Sequence, residues 1–182
     1  MARGDHEALG VAWERHGPTV RNVLRRSLGP DEDVEDLLQE VFIALMRGAG
    51  SMRDGAALRG YLVGVAVRQA ALELRRRRIR RWITLSPTGT LPESSRPPED
   101  VEGRQALRAL YRLLDTLAPR RRLAFILRFV EEMDVLEVAA ALDVSESTAK
   151  REIASARESV LRGTARNPLL SAYLEPFGGD CI

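Results

Sequence analysis

The chain has 182 residues, is 45% hydrophobic and carries a net charge of only +2 at neutral pH. That content supports a packed core and argues against wholesale disorder. The single cysteine, Cys181, rules out an intramolecular disulfide framework or a CxxC metal site. No apolar run approaches the length of a membrane span, and no signal-peptide core opens the chain, so a cytoplasmic location is expected.

The charge is segregated. Asp31, Glu32, Asp33, Glu35, Asp36 and Glu40 crowd one stretch, while Arg75, Arg76, Arg77, Arg78, Arg80 and Arg81 crowd another. Segregation suggests two partners of opposite sign, although each run alone also fits a solvated helix face. Lys150 is the sole lysine, so the basic character is almost entirely arginine.

Helical periodicity dominates. Asp5 is placed to cap a first helix running to about His16. Gly17-Pro18 breaks it, and a second run from Thr19 to Leu28 ends at Gly29-Pro30. The clearest helix follows, with Val34, Leu37, Leu38, Val41, Phe42 and Leu45 forming one apolar stripe at the helical period. Asp31, Glu32 and Asp33 sit at its N-terminus, where the macrodipole favours negative charge, and Gly48 is placed to end it. After a loop at 49–55, a long helix is predicted from Ala56 to Trp82, with Leu58, Tyr61, Leu62, Val65, Ala66 and Leu72 facing inward. Gly60 and Gly64 lie within it and would admit a closely approaching neighbour helix.

Residues 86–103 are rich in Pro, Ser, Gly and acids, the composition of a flexible linker. The expected organisation is therefore a helical domain at 1–84, a linker at 85–103, a second helical domain at 104–164 and a tail at 165–182. In the second domain, Ala106, Leu107, Leu110, Leu113, Leu114 and Leu117 make one helix face. Pro119 suits the first turn of the next helix, whose Leu123, Ile126, Leu127 and Val130 face the core. Asp134 with Glu137 forms an acidic capping box, Asp143 occupies a turn requiring a left-handed residue, and Ser145 caps the last helix of the pair. Two helices joined by so tight a turn form a helix-turn-helix, which sets its second helix in the major groove of DNA. Ala149, Ile153, Ala156 and Val160 are its buried stripe; Ser147, Lys150, Arg151, Ala154 and Arg157 lie opposite. In the tail, Leu169, Leu170, Tyr173, Leu174 and Phe177 suit a short helix docking on the second domain.

Two motifs in this order resemble a known family. DVEDLLQEVFIALMRG is similar to region 2 of bacterial sigma factors, and LAPRRRLAFILRFVEEMDVLEVAAALDVSESTAKREIASARESVL to their region 4. The short length, with no domain between them, resembles the extracytoplasmic-function (ECF) group. The resemblance covers about residues 8–162. It implies an all-α fold of two small domains and an initiation subunit that binds core RNA polymerase, recognises the −35 and −10 promoter elements and helps melt the duplex.

The resemblance further implies roles for particular residues. Asp36, Gln39 and Glu40 match the DxxQE face that docks on a basic coiled coil of the polymerase β′ subunit, the β subunit being a further contact. The loop at 51–58 and the helix after it match the part that reads the −10 element. Arg59, Tyr61 and Arg68 are the candidates there, Tyr61 standing where Trp is usual and fitting a core role as well. Arg75, Arg76 and Arg77 would lie along phosphates. At the −35 element, Ser147, Thr148, Lys150 and Arg151 begin the recognition helix, with Arg157 further along and Arg128 matching a backbone contact that fits equally an internal partner. An anti-sigma factor clamping both domains is also implied. The chain departs from the family pattern at Arg68, where Asn is frequent, at Leu72, where Asp is, and at Glu152, Ala154 and Ser155 in the recognition helix.

No catalytic residue, metal ligand set, cofactor or small-molecule substrate is expected. His6 and His16 have no ligand array at metal spacing, and there is no phosphate-binding Gly-rich loop or nucleophile elbow. An operator-binding regulator using the same helix-turn-helix is the alternative from another functional class. It would leave the upstream motif unexplained.

Overall fold

The computed structural model describes residues 3–29, 34–48, 56–83 and 101–174, and every regular element among them is helical. Asp31, Glu32, Asp33, the loop at 49–55, most of the anticipated linker and Phe177 lie outside the described residues.

α1 spans Arg3–Leu28 as one helix, with Pro18 inside it. It therefore begins before Asp5, the expected cap position, and it crosses the expected break at Gly17-Pro18. An interior proline costs about 3 kcal/mol of helix stability, but burial of Val20, Val23, Leu24 and Leu28 on one face outweighs that local preference. Gly17 is buried against the indole of Trp13, where a Cβ would stand 3.3 Å from the ring. Trp13 packs edge-on against Phe42, with ring centroids 5.0 Å apart. Gly29 ends the helix at φ 129°, a conformation natural only to glycine, and its N–H closes on the Arg25 carbonyl.

α2 (Glu35–Gly48) and α3 (Ala56–Ile83) follow within a residue of the sequence-based bounds. Leu38, Val41 and Leu45 of α2 meet Leu62, Val63, Ala66, Val67 and Ala70 of α3 in the core. Leu72 does not face inward as expected. It lies about 200° round the helix from Ala70 and is 45% exposed. Nor do the glycines of α3 admit a neighbouring helix: a Cβ on Gly60 would point into open space, and one on Gly64 would meet only Arg68 of the same helix.

The second half comprises α4 (Val101–Leu114), α5 (Pro119–Phe125), α6 (Val135–Leu142), α7 (Glu146–Thr164) and α8 (Pro168–Leu174). α4 starts inside the anticipated linker. Leu107 is exposed rather than packed, and Ala109 takes the buried place beside Ala106 and Leu114. Past Phe125 the helix widens to a π turn over Ile126–Val130, closed by the Glu131 N–H on the Ile126 carbonyl. The extra residue in that turn rotates Val130 out to solvent, against expectation. α8 docks on α4 and α7 through Leu170, as the tail pattern suggested.

The two halves are not apart. α3 packs against α5 and α6, and one apolar core runs from Val23, Leu24 and Val63 through to Leu123, Leu127, Met133 and Val138. A second small cluster, Leu114, Leu117, Ile126 and Val160, holds α4, α5 and α7 together.

Arg122 stands at this junction, 2% exposed. Its Nε donates to the Ser27 carbonyl at 2.8 Å and one terminal nitrogen to the Leu28 carbonyl at 2.9 Å, while the other pairs with Asp115. Burying a guanidinium costs several kcal/mol unless it is fully engaged. Here it caps the orphan carbonyls at the negative end of the α1 dipole and lies 5.5 Å over the Tyr111 ring. Burial pulls its pKa down and Asp115 opposes the shift.

Candidate nucleic-acid interface

The turn before α6 is set by local chemistry. Glu132 takes φ 56°, and the guanidinium of Arg128 holds the Met133 carbonyl at 2.9 Å. The capping box then forms in both directions: the Glu137 N–H donates to Asp134 at 2.8 Å, and the Asp134 N–H to Glu137 at 2.9 Å. α6 ends at Asp143, whose φ and ψ of 53° and 55° are the anticipated left-handed pair. Ser145 caps α7 by accepting the Thr148 N–H at 3.3 Å, and its hydroxyl also meets those of Ser147 and Thr148.

This geometry fixes which side of α7 faces outward. Ala149, Ala156 and Val160 are buried, while Ser147, Lys150, Arg151, Ala154 and Arg157 are exposed and Thr148 is half-buried. Lys150 pairs at 2.6 Å with Glu146, one turn back. Glu152, an acid in the helix expected to face phosphates, is matched by Arg121 of α5 at 3.4 Å. Its charge is met inside the module, which lessens its repulsion of an incoming anion.

On α3 the candidate residues divide. Arg68, Arg75 and Arg76 are exposed, as are Leu72 and Ile79, and the spacing puts all of them on one strip of the helix. Arg59 is half-exposed and reaches Glu137 of α6 at 3.6 Å. Tyr61 is built into the packing, donating to the Ala44 carbonyl at 3.3 Å and lying against Gly48. Arg77 is only partly exposed; it binds Glu73 at 3.0 Å and reaches the Leu28 carbonyl. The Arg81 side chain and the loop at 51–55 lie outside the described residues.

On α2, Asp36, Gln39 and Glu40 are exposed at helical spacing, so one face presents all three. No hydrogen bond or ion pair engages them among the described residues. Neighbouring Glu35 is tied to Arg21 of α1.

Arg122, Arg26 and Tyr111, which join the halves, escaped sequence reasoning. One signal was present: Arg122 borders the stripe of Leu123, Ile126 and Leu127, one turn before Ile126, and it is buried with them.

A three-helix unit with an acidic exposed face, followed by a capped helix-turn-helix with a basic exposed face, defines a DNA-binding transcription protein. Comparison with known proteins agrees. The family model for sigma-70 region 2 matches residues 12–80, and that for sigma-70 region 4 matches residues 107–160. The ECF RNA polymerase sigma factor SigM of Mycobacterium tuberculosis H37Rv is 27% identical over 159 residues, 87% of this chain and 78% of that protein. The ECF RNA polymerase sigma-E factors of Escherichia coli K12 and Salmonella typhimurium LT2 are each 26% identical over 169 residues, 88% of either chain. The chain belongs to the ECF group of the sigma-70 superfamily. As such it directs promoter use, with core RNA polymerase and promoter DNA as its partners.

Proposed function

We propose a division of labour among three exposed surfaces. The α2 face of Asp36, Gln39 and Glu40 docks on a basic coiled coil of the polymerase β′ subunit, where exposed carboxylates gain charge-assisted hydrogen bonds and steer association. α3 and the loop before it handle the −10 element. Arg59 and Arg68 stand nearest the opened bases, and Arg75 and Arg76 run along phosphates. Tyr61 and Arg77 act indirectly, by fixing α3 against α2 and α1. The N-terminal face of α7, with Ser147, Thr148, Lys150, Arg151 and Arg157, enters the major groove at the −35 element. Arg128 positions that module through the turn at Met133.

In this reading region 4 also contacts the β subunit, and an anti-sigma factor that clamps both regions holds the protein inactive. The protein works in the cytoplasm, uses no cofactor and performs no covalent chemistry. None of the described helices is long and apolar enough to cross a membrane.

The observation that carries the reading is the capped, outward-facing start of α7 beside Lys150 and Arg151. Lys150→Ala with Arg151→Ala should abolish initiation from a −35-dependent cognate promoter and leave assembly with core polymerase intact. Unchanged promoter use removes the −35 assignment. A parent protein that ignores core polymerase, yet binds duplex DNA alone, is an operator-binding regulator.

A further inference from the structure

Of the 28 Lys and Arg residues in the chain, Lys150 is the one lysine. For a contact to phosphate or to a base edge, arginine serves at least as well, because its planar fork makes two parallel bonds where an ammonium offers a point charge. A chain built almost wholly with arginine nevertheless keeps its single side-chain amine near the head of the recognition helix. The two groups differ in reactivity. An amine that sheds a proton has a nucleophilic lone pair and accepts acyl groups, whereas a guanidinium stays protonated.

The site is open. The Lys150 side chain is 61% exposed, and Ala154, one turn on along the same face, is too small to cover it. No hydrogen bond or ion pair engages neighbouring Arg151 among the described residues, so its charge is free to attract an anionic donor. The bond that Lys150 does make, among those residues, is the ion pair to Glu146, which is itself 47% exposed.

That pair makes the position a charge switch. Together Lys150 and Glu146 sum to zero. Once the nitrogen is acylated it is neutral, and the Glu146 carboxylate stands alone on the face offered to phosphates. Glu146 lies in the first turn of α7, where the macrodipole accommodates negative charge. One modification therefore removes a phosphate contact and leaves a repulsive charge in the same place.

We propose that Lys150 is a regulatory acylation site, taking an acetyl group from an activated donor (an acyl phosphate or an acyl thioester), and that the modified chain still binds core polymerase but loses the −35 element. The inference rests on the reading of α7 as the −35 surface. Lys150 Nζ gives one proton to water, and its lone pair attacks the acetyl carbonyl carbon. The N–C bond forms as the C–O bond to phosphate, or the C–S bond of the thioester, breaks. The leaving group departs with that electron pair and takes the second proton from nitrogen. Nothing is oxidised or reduced.

The full-length chain is treated with acetyl phosphate or with acetyl-coenzyme A, freed of the donor, and mapped by peptide mass spectrometry. Lys150 should carry the acetyl group. Arg151→Ala should slow the reaction with acetyl phosphate about threefold, the effect of one screened charge on a nearby dianion, and that loss identifies the phosphate as the source. An unchanged rate, with acetyl-coenzyme A reacting, identifies the thioester. Assembled with untreated core polymerase, the acetylated chain should form holoenzyme normally and bind a −35-dependent promoter about tenfold more weakly. The salt dependence should be shallower by about one unit, and a lysine deacetylase should restore both. Lys150→Arg, treated in parallel, should show no change on exposure to the donor, whatever its own affinity. The chain isolated from its own cells should carry the group on a fraction of its Lys150.

No acetylation of Lys150 in cells grown to raise activated acetyl donors, no reaction with either donor, or acetylation that leaves promoter binding unchanged each overturns the proposal. A parent holoenzyme indifferent to the −35 sequence defeats the −35 reading instead, and the cellular mapping then decides the acylation site by itself.

Discussion

Reversing the charge at Asp36 and Glu40 separates an interface from an ordinary acidic helix. Both residues are exposed, one turn apart on α2, and neither is engaged by a hydrogen bond or ion pair among the described residues. Asp36→Lys with Glu40→Lys therefore breaks nothing inside the fold. The cost to stability is the lost macrodipole attraction at Asp36 in the first turn, about 0.3–1 kcal/mol, against the roughly 5–15 kcal/mol typical of a domain. The cost to the complex is much larger. Each charge-assisted hydrogen bond at a docked face is worth about 1.5–3 kcal/mol. Losing two at the low end, about 3 kcal/mol, weakens Kd about 150-fold, and repulsion between like charges adds to that. Fluorescence anisotropy of the labelled chain against core polymerase measures Kd, and far-UV circular dichroism with urea titration reports the fold. The salt dependence of Kd should also flatten, since screened attraction has been removed. A Kd within threefold of the parent refutes the interface. Loss of helicity or of several kcal/mol of stability shows instead that these carboxylates serve the fold.

Asp134→Ala removes one half of the capping box before α6 and should cost about 1 kcal/mol in urea unfolding, with weaker −35 binding because α7 is set by the preceding turn. Unchanged stability would show that the cap is idle. Ser27 is fully buried and its hydroxyl is without a partner among the described residues. Ser27→Ala should therefore stabilise the chain by about 1 kcal/mol, and a lowered urea midpoint would contradict this. Burial holds the His16 pKa below its usual value, with Arg15 and Arg59 adding to the shift. The folded state then binds its proton later than the unfolded state as acid is added, so stability should fall as pH drops through the unfolded value near 6.5. His16→Gln should flatten that loss between about pH 7 and pH 5, and an unaltered profile would assign the acid sensitivity elsewhere.

The features legible in the sequence are those fixed within a turn or two of chain. The stripe of α2, the start of α3, Pro119 at the head of α5, the Asp134–Glu137 box, the left-handed Asp143 and the Ser145 cap each follow from spacing and side-chain chemistry over a few residues. The exposed face of α7 followed from its buried stripe by the same logic, whereas the Asp36, Gln39 and Glu40 face of α2 was singled out by the resemblance to the family. Where reading failed, a distant partner or a change of helix type had intervened. Pro18 stays helical because α2 and α3 cover its neighbours. Val130 turns outward because the π turn shifts its register. Tyr61 belongs to the packing because Ala44 and Gly48 receive it.

By itself, then, the sequence determined the helices α2, α3 and α5–α7, the caps at Asp134 and Ser145 and two motifs of the sigma family, since periodicity and capping are local and leave a local trace. Only the tertiary structure decided that the two regions share one core. The carbonyls that Arg122 caps lie 94 and 95 residues before it, and backbone carbonyls carry no mark in an amino-acid sequence. A pairing of that kind becomes visible only once the end of α1 and the middle of α5 are brought to the same place.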